Sequence, residues 1–151
     1  MKKCIIFILF LFVTIISYAQ ICNNNEGFTY SHLIVQYPNG KIDYNGDAVG
    51  SIIFTVKNGK QIIGISLDKE IMYQGVVIKK EKERLENGNC IISYKFNSTY
   101  QGINIPIVLT AIYGDYSCNV PLKFFLVILN KYSGKPVRYN IFTGIDMSYS
   151  Y

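Results

Sequence analysis

The sequence predicts an all-β domain, an antiparallel two-sheet sandwich of seven to eight short strands behind an export leader. Three observations carry that prediction. Asn-Gly occurs four times, at Asn39-Gly40, Asn45-Gly46, Asn58-Gly59 and Asn87-Gly88. Segments between turn signals alternate apolar and polar residues with a period of two, and helix-forming composition is confined to one charged run, residues 79–86. Asn-Gly signals a hairpin because both central residues of a type I′ turn need positive φ. Glycine adopts that readily and asparagine tolerates it, and the twist of the turn matches two antiparallel strands. Closure of the same strands into an eight-stranded up-and-down barrel is the alternative.

The chain opens with Met1-Lys2-Lys3, an uncharged apolar run over residues 4–16, and Ser17-Tyr18-Ala19. Those are the three parts of a secretory signal peptide, with small residues at 17 and 19 to fit the peptidase. The run falls short of the ~20 apolar residues a spanning helix needs, which argues against an anchor. Cleavage is expected between Ala19 and Gln20. Lipidation of Cys22 wants a small residue immediately before it, and Ile21 stands there instead. Residues 20–27, with Asn23-Asn24-Asn25, read as a flexible mature start, and residues 28–151 as a single all-β domain. Losing Lys2 and Lys3 lowers the formal net charge from +5 to +3, with basic residues scattered rather than gathered. That excludes a nucleic-acid partner, which needs a dense basic footprint.

Strands are expected near residues 28–37, 49–57, 60–67, 71–83, 89–97, 103–113, 121–130 and 137–150. Around Asn58-Gly59 the register follows residue by residue. Lys57 faces Lys60, Val56 faces Gln61, Phe54 faces Ile63 and Ile52 faces Ile65, so Ile52, Phe54, Val56, Ile63, Ile65 and Leu67 share the inner face. Residues 79–86 read as a strand end projecting into water, since eight residues without an apolar face make a marginal helix and alternating charge blocks edge-to-edge pairing. Ile92, Tyr94 and Phe96 alternate with Ser93 and Lys95. Ile105, Ile107, Leu109 and Ala111 share one face of the next strand, where Pro106 demands an edge position or a strand start. The strand near 121–130 differs, because Phe124, Leu126 and Ile128 lie on one face while Phe125, Val127 and Leu129 lie on the other. It should be the most buried strand, covered on both sides or capped by a partner.

In the last segment Tyr139, Ile141, Thr143, Ile145, Met147, Tyr149 and Tyr151 alternate with smaller or polar residues. This pattern resembles the closing strand of bacterial outer-membrane β-barrels, whose apolar residues alternate back from a terminal aromatic. The resemblance implies a small outer-membrane barrel with that set facing lipid, and only then a membrane as partner. Ile, Asn, Lys and Tyr together supply 63 of the 151 residues. All four have AT-rich codons, so the tyrosines are not read as a ligand-stacking surface, and the bias and the short Lys-Lys leader point to a bacterium.

Catalytic chemistry has thin support. Three cysteines survive cleavage, Cys22, Cys90 and Cys118, so one internal disulfide is possible. Cys90 with Cys118 is the favoured pair in an oxidising compartment, and Cys90 as a small buried residue is the alternative. The sole thiol-hydrolase arrangement would set His32 as base to Cys90 or Cys118 with Asp115 as orienter, but no cysteine-nucleophile motif surrounds either thiol. No zinc spacing is present, and Asn45-Gly46-Asp47 lacks the ligand spacing of a calcium loop. Asp43 and Asp47 fall where a turn favours aspartate for backbone reasons. The expectation is therefore a non-enzymatic binding or assembly module without catalytic residues, cofactor or metal, exported to the periplasm or beyond. Its partner is an unidentified protein, peptide or glycan, with Phe125, Val127 and Leu129 as a partner-facing strand face.

Overall fold

A computed structural model describes residues 26–86, 88–100, 102–114 and 120–150. The leader, Cys22, Asp115, Cys118 and Tyr151 lie outside the described residues. The chain forms strands β1 (Glu26–Gln36), β2 (Ile42–Lys57), β3 (Lys60–Leu67), β4 (Glu70–Arg84), β5 (Cys90–Tyr100), β6 (Ile103–Tyr113), β7 (Lys123–Leu129), β8 (Pro136–Thr143) and β9 (Asp146–Ser150). All pairings are antiparallel, and β2 to β8 each pair with their neighbours in sequence. β1 then closes the ring, with β2 on one side and β8 and β9 end to end on the other.

The domain is therefore all-β, but it is an eight-stranded barrel and not the two-sheet sandwich. A sandwich of this size needs connections that switch sheets, whereas here each strand from β1 to β7 pairs with the next. Long strands such as β2 and β4 must then bend around the ring. Two glycines allow that bending by close approach. A Cβ at Gly50 would meet both the Ser66 carbonyl oxygen and the Tyr30 hydroxyl, and one at Gly75 would meet the Asn97 carbonyl oxygen. Beside Gly75 the β4–β5 ladder is open, and Gln74 N–H donates to the hydroxyl of buried Ser98 at 3.0 Å.

The Asn58-Gly59 hairpin has the predicted register throughout, with φ of 53° and 72° at its two turn residues. Ile52, Phe54, Ile63 and Ile65 are buried, while Val56, near the turn, is exposed. Asn39-Gly40 also stands at a turn, Gly88 follows the end of β4 while Asn87 lies outside the described residues, and Asn45-Gly46 lies within β2, opposite Ile34 and Leu33. Asp43 and Asp47 are accordingly strand residues rather than turn residues. Residues 79–84 continue β4 as an exposed arm paired with β5, and Lys80 lays its ammonium 5.2 Å from the Tyr94 ring centroid.

The barrel interior is filled with side chains. Phe124 meets Phe28 at 5.5 Å and Phe54 at 6.2 Å, those two meet each other at 6.2 Å, and Phe54 in turn meets Tyr94 at 4.9 Å. Ile92, Phe96, Ile107, Leu109, Leu126 and Phe142 complete the packed centre. Pro106 is accommodated as predicted, because the β6–β7 ladder begins only at Ile107 and so asks no hydrogen bond of it on that side.

The closing strand departs from the uniform alternation read over residues 137–150. Tyr139, Ile141 and Thr143 are half-buried while Asn140 and Phe142 point into the core, but Ile145 packs against the core. The change of phase comes at Gly144, at φ 64°, where a Cβ would strike the Ser31 hydroxyl. On the facing strand the β1 register shifts between Tyr30 and His32. The β1–β2 shift, whose extra residue lies on β2 between Asp47 and Gly50, and the break between β8 and β9 thus flank the same stretch of β1, and the set from Tyr139 to Met147 does not form one continuous outward face.

Candidate functional site

One end of the barrel is ringed by the turns after β1, β3, β5 and β7. At that mouth lies a cavity of about 910 Å³, within the range of small-molecule pockets and at a customary place for one. Leu67, Tyr73, Ile105 and Ile128 line it while also packing on the core. Tyr37, Ile71, Met72 and Val137 extend the apolar wall toward solvent. The opening follows from the fold. The β4–β5 ladder runs only from Val77 onward, and residues 70–73, beyond the Gln74–Ser98 hydrogen bond, are not laddered to β5, so Ile71, Met72 and Tyr73 face the opening.

Among the described residues, three charged side chains line the cavity. Arg138 on β8 pairs with Asp43 on β2 at 3.1 Å, bridging across the end of β1. The Arg138 Nε is buried without a partner, and so is Oδ1 of Asn140, two residues deeper on the same inward face of β8. Asp68 and Glu70 flank the β3–β4 turn, in which Asp68 and Lys69 have φ of 48° and 71°. This is a two-residue turn with both centres at positive φ, built without glycine. Asp68 also acts inward. Burial, and then the Asp68 carboxylate, push the Tyr30 hydroxyl up to about 12, and that hydroxyl donates to the Ser66 carbonyl at 2.7 Å.

The residues singled out in the sequence lie elsewhere. Phe125, Val127 and Leu129 are on the outer wall and half-buried, so β7 is covered on its inner face only. Register sets Phe125 between Thr110 and Ile141, and Val127 between Val108 and Tyr139. Phe125 stacks on Tyr139 with centroids 5.5 Å apart, so the outer wall across β6, β7 and β8 carries a continuous apolar band. Cys90 is buried inside the barrel. His32 stands on the outer wall, with Nε2 2.9 Å from Asn45 Oδ1 and Nδ1 3.6 Å from an Asp47 oxygen. The structure therefore does not bring His32 and Cys90 together, and the pairing of Cys90 with Cys118 falls partly outside the described residues. Among the described residues, no three His, Cys, Asp or Glu side chains gather as a metal site.

Sequence reasoning missed the mouth. Its lining comes from β3, β4, β6, β7, β8 and the turn after β1, and no local spacing marks residues brought together by ring closure. The available signals were indirect: Asp68 and Lys69 between two apolar runs, and Arg138 and Asn140 at positions that alternate with Tyr139 and Ile141.

No protein-family model matches the chain, and no curated protein matches it. Among solved structures it is similar to the crystal structure of a DUF4251 family protein from Bacteroides eggerthii. The two share 15% sequence identity over 81% of this chain and 79% of that one, with a TM-score of 0.41.

Proposed function

We propose that this chain is an exported bacterial β-barrel that works by binding, without catalysis, and that its ligand is a small amphipathic molecule seated in the mouth. The 910 Å³ cavity, walled by core-supported apolar side chains with a few charged groups at its rim, is the observation that carries this reading. Export rests on the leader, and the periplasm or the exterior is the compartment it addresses. An aqueous setting is favoured over the outer membrane by the distribution of polarity. The interior is packed with phenylalanine, isoleucine and leucine, while Lys79 and Lys95 face each other in register on exposed positions of β4 and β5. A membrane barrel places charge and apolar bulk the other way round. The separation of His32 and Cys90 across the barrel wall removes one of the two arrangements a thiol hydrolase could use.

Nile red, an uncharged apolar dye, tests the binding reading directly. The processed protein is expected to bind one dye molecule with a rise in fluorescence. Ile105→Trp, which fills the cavity from its wall, is expected to weaken binding at least tenfold while leaving the circular dichroism spectrum in place. Dye binding that is unaffected by Ile105→Trp would move the site elsewhere, and no binding at all would remove the cavity from consideration.

A second reading, assembly through the outer wall, is favoured by the band around Phe125, Val127 and Tyr139. It predicts that sedimentation at rising concentration shows association of the wild-type chain and that Val127→Glu abolishes it without unfolding the barrel. A wild-type chain that stays monomeric, alone and with extracts of its own cell envelope, would end that reading.

A further inference from the structure

We infer that the ligand of the mouth cavity is an organic cation, an apolar body bearing an ammonium group; this rests on the reading of the mouth as a small-molecule site. The apolar wall accounts for the body, and the balance of charge accounts for the head. Arg138 is the only cationic side chain among the described residues that line the cavity, and its guanidinium is already held by Asp43 at 3.1 Å. Asp68 and Glu70 line the same cavity and form no ion pair with a described residue. Lys69 stands between them in sequence, is exposed as they are and does not line the cavity, and its single charge can offset only one of the two carboxylates. The uncompensated charge facing the cavity is therefore negative.

Two further features fit a cation. After burial, the Asp68 carboxylate is the second cause that holds the Tyr30 hydroxyl up, so its negative charge is felt at this end of the barrel. Tyr37 and Tyr73 also line the cavity, and aromatic faces attract ammonium groups. A carboxylate ligand would meet Asp68 and Glu70 as like charges, with the Arg138 charge compensated by Asp43 and only its Nε–H left to donate. A neutral ligand would gain the apolar wall alone.

Three probes of matched shape separate these cases: 2-naphthylmethylammonium, 2-naphthylmethanol and 2-naphthoate, each followed by fluorescence anisotropy with the processed protein at pH 7. The ammonium compound is expected to bind about five- to tenfold more tightly than the alcohol, the increment of two partly exposed ion pairs, and the carboxylate more weakly than either. Raising the ionic strength from 0.02 M to 0.5 M should shrink the preference. In the double variant Asp68→Asn/Glu70→Gln the ammonium and alcohol affinities should converge. Asparagine suits the positive φ at position 68, so the turn is kept, and an unchanged melting temperature and unchanged alcohol affinity check this. Equal binding of ammonium and alcohol by the wild-type chain, or tighter binding of the carboxylate, would overturn the cation inference and leave the cavity reading standing. Failure of all three probes, together with failure of Nile red, would overturn both.

Discussion

Phe124→Ala is expected to destabilise the barrel by about 3–5 kcal/mol, read as a lowered urea midpoint with little change in slope. The ring is fully buried and touches Phe28 on β1 and Phe54 on β2 across the barrel interior, so its removal leaves a void in the packed centre. A loss of that size is a large share of the ~5–15 kcal/mol that holds a domain folded. Phe125→Ala, one residue along, is the control. That ring is on the outer wall, half-exposed, and its principal aromatic contact is Tyr139, so the cost should stay near 1 kcal/mol. Equal losses at 124 and 125 would mean that the outer band is buried in the native molecule by something besides this chain.

The contrast between these two neighbours also shows what the sequence makes legible. Alternation gave the correct partition of β7, with Phe124, Leu126 and Ile128 opposite Phe125, Val127 and Leu129, because period two is a local property of one strand. The Asn58-Gly59 register was legible for the same reason: positive φ at two adjacent residues fixes the pairing of everything that follows. Sandwich against barrel was not legible, since closure depends on whether β1 finds β8 across most of the chain length. Nothing within either strand encodes that. The phase change at Gly144 was hidden because Ile145 and Met147 continue the apolar alternation of Tyr139 and Ile141 as letters. The break that reverses them needs the β1–β2 shift after Tyr30 to be seen. The mouth cavity was the least accessible of all. It exists only once closure has set Leu67, Ile105, Ile128 and Arg138 around one opening.

Raising the pH from 10 to 12 is expected to weaken the barrel by roughly 2–3 kcal/mol through Tyr30 alone. A tyrosine hydroxyl in the unfolded chain ionises near 10, whereas burial and the Asp68 carboxylate raise Tyr30 to about 12 in the fold. Below pH 10 both states keep the proton and the stabilisation is fully present. Between 10 and 12 the unfolded chain releases the proton and the folded one retains it, so fewer protons are bound on unfolding and stability falls as pH rises. Above 12 both are ionised and the contribution is gone. Other tyrosines titrate in this window too, so the informative quantity is the difference between the wild type and Tyr30→Phe. At pH 8 the variant should be weaker by about 1–2 kcal/mol, having lost the hydrogen bond to the Ser66 carbonyl. From pH 10 to 12 that gap should close and then reverse, because phenylalanine has no proton to lose; a gap that stays constant would show that Tyr30 ionises normally. The same titration reports on the mouth. An organic cation resting on Asp68 offsets the field that raises Tyr30, so saturating (2-naphthylmethyl)trimethylammonium, whose quaternary nitrogen keeps its charge at this pH, should move the Tyr30-dependent part of the transition to lower pH, and 2-naphthylmethanol should not.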